Sequence, residues 1–180
     1  LALVADDPRA AVHLHDRGEH LHTQARLAKL ANFDSLTGLP NRALFRDRLA
    51  AAMARAQRTG APMALMFLDL DRFKLINDSL GHEVGDRLLQ HVARTLTGCL
   101  RNVDSVAHIT EEPFVLSRLG GDEFTVIVES IGAAEDAALV ARRLLDAVNA
   151  PFVVGEEEIV VSVSIGISMY PIDDVDLDTL

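Results

Sequence analysis

Gly120 and Gly121 stand side by side, with the apolar run "FVLSRL" before them and "EFTVIV" just beyond Asp122. Strand-forming runs on both sides of a glycine pair predict two strands over residues 115–129 joined by a tight turn, because such turns need positive φ. Asp122 and Glu123 then sit on the lip of that turn. A second run, "PMALMFLDLD" (62–71), reads as a buried strand ending in acids. Asp69 and Asp71 lie two apart there and so share a face. The exit of such a strand is where ligand sites gather. If the hairpin lies beside that strand, Asp122 and Glu123 join Asp69 in a cluster of hard oxygen donors without histidine or cysteine. That donor set suits Mg²⁺ or Mn²⁺ holding substrate phosphates. Two such ions can activate an attacking hydroxyl and stabilise a leaving oxygen.

The remaining pattern supplies helices to cover this sheet. Glu19 to Ala31 has a broad apolar stripe at helical spacing, as expected of a connector from an upstream module. Residues 41–58 repeat the period through Leu44, Phe45, Leu49, Ala52, Met53 and Ala56, with Asn41 as N-cap and Gly60 as terminator. A helix from Phe73 is interrupted near Gly81, and another runs from Gly85 to about Leu100 with Val84, Leu88, Val92 and Leu96 on one side. Residues 133–149 are helical again, and 157–170 alternate like a strand. This order predicts an α/β (α+β) domain with one mixed, partly antiparallel central sheet flanked by helices. Residues 1–30 are expected to be an N-terminal segment and connector helix, and 31–180 the domain proper.

Composition excludes several classes. At 180 residues and 49% hydrophobic, the chain can bury a core of its own. No run of 18 apolar residues is present, so no membrane contact by this segment is expected. The first residues lack the basic start and apolar core of a signal peptide. A single cysteine, Cys99, precludes an internal disulfide and fits a reducing, cytoplasmic setting; it reads as a buried helix residue. The net charge of −10 argues against nucleic acid as a partner, since phosphate contacts need Lys and Arg. His13, His15, His20 and His22 lie close together, but in a charged segment whose composition is weak support for a metal site.

Beyond these readings, "RLGGDEF" (118–124) resembles the signature of the GGDEF family of diguanylate cyclases. "DSLTGLPNR" (34–42), "FLDLDRFKLIND" (67–78), "GHEVGDRLL" (81–89) and "VSIGIS" (163–168) are similar to that family's other blocks, in its order. The resemblance implies a nucleotide-cyclase, palm-like fold. It also implies an enzyme that turns two GTP into cyclic di-GMP and pyrophosphate, as a homodimer in which each domain holds one GTP. Asp69 and Asp122 would be side-chain metal ligands and Leu70 a ligand through its carbonyl. Glu123 would lie by the metal and help activate the 3′-hydroxyl. Gly120 and Gly121 would leave room for the nucleotide. Asn77 and Asp86 resemble the guanine readers; a carboxylate can accept from guanine N1–H and N2–H, and an amide can face O6 or N3. Leu36 and Leu89 would wall the base pocket. The N–H groups of Arg72 and Phe73, with Lys74, would meet the β and γ phosphates.

Arg101 and Asp104 match the family's RxxD inhibitory motif, where cyclic di-GMP binds as product, and Arg143 falls where a second arginine is often found. The chain departs from the family in two places. Residues 105–119, between RxxD and the glycines, exceed the usual gap, and "HITEEPFVLS" (108–117) looks like an inserted extension that either bulges clear of the product site or displaces it. The sequence also stops at Leu180, where a further helix with a phosphate-gripping lysine and arginine would begin, so the domain is expected to lack its C-terminal helix and strand. A catalytically silent module that binds GTP or cyclic di-GMP is the alternative reading. The intact run from Gly120 to Phe124, with Asp69, Asn77 and Asp86, favours the enzyme.

Overall fold

The structure, a computed structural model, describes residues 29–104, 114–154 and 157–173. The connector helix expected over Glu19–Ala31 lies almost wholly outside these, as do the four N-terminal histidines; residues 29–32 are helical. Helix α1 (Arg42–Thr59) begins where Asn41 Oδ1 accepts from the N–H groups of Ala43 and Leu44, at 3.0 and 3.1 Å. It ends at Gly60, in the left-handed region at φ 72°, whose N–H donates to the Ala56 carbonyl. Both caps are those the residue types predict.

Strand β1 (Met63–Leu70) leads through a turn into α2 (Phe73–Leu80), and α3 (His82–Asp104) follows at once. Gly81, at φ 87°, closes α2 through its N–H to the Asn77 carbonyl. The second helix therefore starts earlier than the periodicity suggested, because one glycine suffices to break and restart the spiral. Strands β2 (Phe114–Gly120) and β3 (Glu123–Val128) form the hairpin, then come α4 (Ala134–Val148), β4 (Phe152–Val154), β5 (Glu157–Ile159) and β6 (Val163–Tyr170). The single strand expected over 157–170 is two. β5 pairs with β4 in a small ribbon, and residues 160–162 leave the ladder, where the Ser162 carbonyl accepts instead from the Asp71 N–H.

The main sheet runs β2-β3-β1-β6, and every pairing in it is antiparallel. β1 is central and loses both faces to helices. Ala64, Met66, Leu68 and Leu70 point with Phe124, Val126 and Val128 into a core shared with Leu88, Val92 and Leu96 of α3 and Leu144 of α4. Met63 and Leu65 point the other way, with Ile127, onto Phe45, Leu49, Ala52 and Ala56 of α1. An antiparallel strand covered on both sides has no polar face, which explains the apolar run from Met63 to Leu68 before Asp69 at the strand's exposed exit. Arg55 of α1 reaches across this layer to Glu129, just past β3, in a two-pronged ion pair at 2.5–2.6 Å.

Candidate functional site

Antiparallel pairing sets the acids side by side. Register places Asp69 directly opposite Glu123, and Gly120 opposite Glu123 on the hairpin's other arm. Leu119 is the extra residue of a bulge between Arg118 and Gly120, so the turn proper is Gly121–Asp122, shifted by one residue from the glycine pair. Gly120 has φ 144° and Gly121 φ 53°, and nothing in the protein lies within 4 Å of a Cβ built on either. Conformation therefore demands these glycines, and the space beside them is open. Burial raises the Asp69 carboxyl above its ordinary value, and the charges of Asp122, Glu123 and Asp71 raise it further. Carboxylates crowded onto a strand exit are what a divalent cation would relieve.

The four acids have separate surroundings. Asp71 accepts from Ser162 Oγ at 2.5 Å and Ser164 Oγ at 2.7 Å, and these hydroxyls hold its carboxyl below the usual range. It fastens the β1–α2 turn to the start of β6. Glu123 meets the Arg42 guanidinium at 3.5 Å, both well exposed. Among the described residues, no three His, Cys, Asp or Glu side chains are arranged to hold a metal ion. Asp69 and Asp122, with the Leu70 carbonyl, fit such an ion by donor type and by mutual repulsion. Glu123 is drawn toward Arg42 instead.

The residues that the sequence predicts to meet a nucleotide lie on α2, α3 and the loop before α1. Arg72 is left-handed at φ 59° and caps α2 without a side-chain hydrogen bond, ahead of a first turn whose N–H groups have no partner within the helix, next to exposed Lys74. An open cavity of about 680 Å³ runs past them, lined by Asp69, Asp71, Arg72, Leu75, Val160 and Ser162. Asn77 of α2 is half-buried against α3, and Asp86 of α3 is exposed. Leu89 is 2% exposed, so it can form only the floor of a base pocket; half-buried Leu36 packs on the same core. Arg101 and Arg143 are exposed on the packed helices α3 and α4. Between them half-buried Cys99 has its thiol pushed up by burial, against the opposing pull of Arg143. The side chain of Asp104, and residues 105–113 of the expected insertion, lie outside the described set.

Sequence reasoning missed the brace beneath the turn. Arg118 is buried at 9% exposure, and its guanidinium donates to the Gly121 carbonyl at 2.7 and 3.1 Å and to Asp34 Oδ1 at 2.8 Å. Asp34 also accepts from the Thr37 N–H and hydroxyl, at 2.8 and 2.6 Å, which shapes residues 34–40 into a closed loop. The Arg118 N–H donates to the Pro40 carbonyl, and Gln90 donates to the Leu36 carbonyl at 3.2 Å. One loop is thus tied to the acidic turn and to α3. The available signal was a lone arginine inside an apolar strand, which must find a partner when buried.

The Asp34 tie has a pH signature. Burial disfavours its charge, but the Thr37 and Arg118 hydrogen bonds outweigh that and lower its carboxyl below 3.8. A carboxyl depressed by folding contributes stability above its unfolded value, and loses it as pH falls through the folded value. Arg118→Ala is expected to cost about 1–3 kcal/mol at pH 7 in urea unfolding. Asp34→Asn is expected to flatten the loss of stability as pH falls below the ordinary carboxylate range. An acid limb identical to wild type would place the depressed carboxyl elsewhere.

Residues 31–180 match the family model described as diguanylate cyclase, GGDEF domain. The chain is 42% identical over 147 residues to the bifunctional diguanylate cyclase/cyclic di-GMP phosphodiesterase MucR of Pseudomonas aeruginosa, covering 82% of this chain and 20% of that protein. It is 41% identical over 148 residues to the diguanylate cyclase TpbB of the same species, covering 82% of this chain and 32% of TpbB. The chain therefore spans a third or less of these relatives. The solved GGDEF domain of TpbB superposes with a TM-score of 0.69 at 38% identity, over 77% of this chain and 76% of that one. With its acidic turn set against the central strand and its sequence blocks in matching order, the chain belongs to the diguanylate cyclase GGDEF domain family.

Proposed function

We propose that this domain is a diguanylate cyclase that condenses two GTP into cyclic di-GMP and releases two pyrophosphates. The observation that carries this reading is the register of Asp69 against Glu123 beside the Gly121–Asp122 turn, with both turn acids raising the Asp69 carboxyl. Each 3′-hydroxyl attacks the α-phosphorus of the other nucleotide; one P–O bond forms, the bond to the β-phosphate oxygen breaks, and the hydroxyl proton leaves to a base. Glu123 is the base within reach of the turn and takes that proton. Asp69, Asp122 and the Leu70 carbonyl would hold Mg²⁺ or Mn²⁺, which when bound polarises the phosphates and steadies the leaving oxygen. The N–H groups of Arg72 and Phe73, with Lys74, bind the β and γ phosphates at the start of α2. Asn77 and Asp86 read the guanine edge, with Leu36 and Leu89 against its face. Gly120 and Gly121 keep the backbone bare where the nucleotide passes.

Because each domain holds one GTP, two copies must face each other for turnover, so the partner in catalysis is a second copy of the chain. The setting is cytoplasmic, where GTP is found. Among the described residues no helix is long and apolar enough to cross a membrane. Arg101, Asp104 and Arg143 form the product site, where guanidinium groups fork onto phosphate or guanine. One observation favours the alternative, a silent module that binds GTP or cyclic di-GMP: Glu123 is engaged by Arg42.

Turnover separates these readings. Asp122→Asn and Glu123→Gln are each expected to lower cyclic di-GMP formation by about a hundredfold or more, with unchanged melting temperature, and chelation of Mg²⁺ should do the same to the unmutated protein. Undiminished turnover in Asp122→Asn would remove it from the metal site. Asp86→Ala should weaken GTP binding by roughly tenfold or more and ATP binding hardly at all; equal losses would show that Asp86 does not read the base. Arg101→Ala should relieve inhibition by added cyclic di-GMP, and an unchanged inhibition curve would mean that the product acts elsewhere.

A further inference from the structure

The first turn of α3 carries a glycine that its backbone does not require. Gly85 is buried and helical, with no positive φ, and its N–H donates to the Gly81 carbonyl at 3.2 Å. Alanine is the better helix former at such a position, so the glycine works against local helix stability. What it supplies is room. A Cβ built on Gly85 would lie 1.9 Å from Asn77 Oδ1 and 3.0 Å from Asn77 Cγ, with Phe73 Cζ at 3.3 Å. The carboxamide of Asn77 therefore occupies the volume that any other residue at 85 would fill.

The obstructing atoms are the far end of a rotatable side chain, and the Phe73 ring needs to give by only a few tenths of an ångström. A methyl at 85 would thus displace Asn77 while leaving α2 and α3 packed. Asp86, the next residue along α3, is exposed, so the gap at Gly85 sets the place of the Asn77 amide one residue away from the second proposed guanine reader. A residue that breaks a local rule without a backbone reason marks a functional constraint.

We infer that Gly85 is a specificity-determining positioning residue: it contacts no ligand, and its missing side chain seats the Asn77 carboxamide so that Asn77 and Asp86 address one guanine edge together. This rests on the guanine-reading role proposed above for Asn77. It also assigns the glycine a different duty from Gly81, which serves the chain's own turn at φ 87°.

The test compares the unmutated full chain with Gly85→Ala, Asn77→Ala and the double variant, measuring affinity for GTP and for ATP by calorimetry alongside melting temperature. The Asn77 side-chain amide resonances are followed by NMR in the chains that retain Asn77. Gly85→Ala is expected to lose roughly tenfold in GTP affinity, about one hydrogen bond, with ATP affinity unchanged and the Asn77 amide resonances shifted. In the Asn77→Ala background, Gly85→Ala should change nothing further, because no carboxamide remains to be displaced. An equal loss in both backgrounds, or unshifted Asn77 resonances, would overturn the inference. So would GTP affinity that Asn77→Ala destroys and Gly85→Ala keeps. If the unmutated chain shows no preference for GTP, or Asn77→Ala leaves that preference intact, the guanine reading itself fails and the specificity role falls with it.

Discussion

The Arg118 guanidinium holds the acidic turn in place. It joins the Gly121 carbonyl inside the turn to the Asp34 carboxylate in a loop far away in the chain. Charge-assisted bonds of this kind are roughly twice as strong as neutral ones, and burial keeps water from competing. Their directionality matters as much as their strength. A two-residue turn with an adjacent bulge could tilt in several ways, and a planar, forked donor beneath it selects one. Asp34 is in turn positioned by Thr37, so the brace stands on a loop that is itself rigid.

That brace supports an electrostatically unfavourable surface. Asp69 and Glu123 face each other directly across two strands, an arrangement that disfavours the sheet when both are charged. Asp71 escapes the crowding by engaging two serine hydroxyls of the β6 segment, and Glu123 finds Arg42. Asp69 has no such relief, and its raised carboxyl records the difference. Negative charge is therefore concentrated at the exit of β1, beside a helix start whose N-cap residue makes no side-chain hydrogen bond.

Much of this was legible because local signals and tertiary context agreed. The caps of α1, the apolar run of β1 and the glycine turn were read correctly, since each is set by a few neighbouring residues. The matching sequence blocks led to the family directly. Three features were not legible. The turn is Gly121–Asp122, shifted by one residue from the glycine pair, because a bulge at Leu119 depends on pairing with β3, which composition does not encode. The break at 160–162 arises from a bond to Asp71, distant in sequence. Arg118 carries no separate signal within its block, because its partners lie in the loop at residues 34–40, which folds against β2 from far away in the chain.

The central position of β1 has a bearing on how the chain is made. β1 is made before either of its ladder neighbours, β3 and, much later, β6. Until those segments leave the ribosome, a strand that is apolar from Met63 to Leu68 has α1 to shield one side and α3 the other, but both its edges stay open. Such an exposed ladder invites pairing with other nascent chains. Early docking of the two helices would therefore act as an intramolecular chaperone, and delayed closure by β6 makes sheet completion a nonlocal, slow step in assembly.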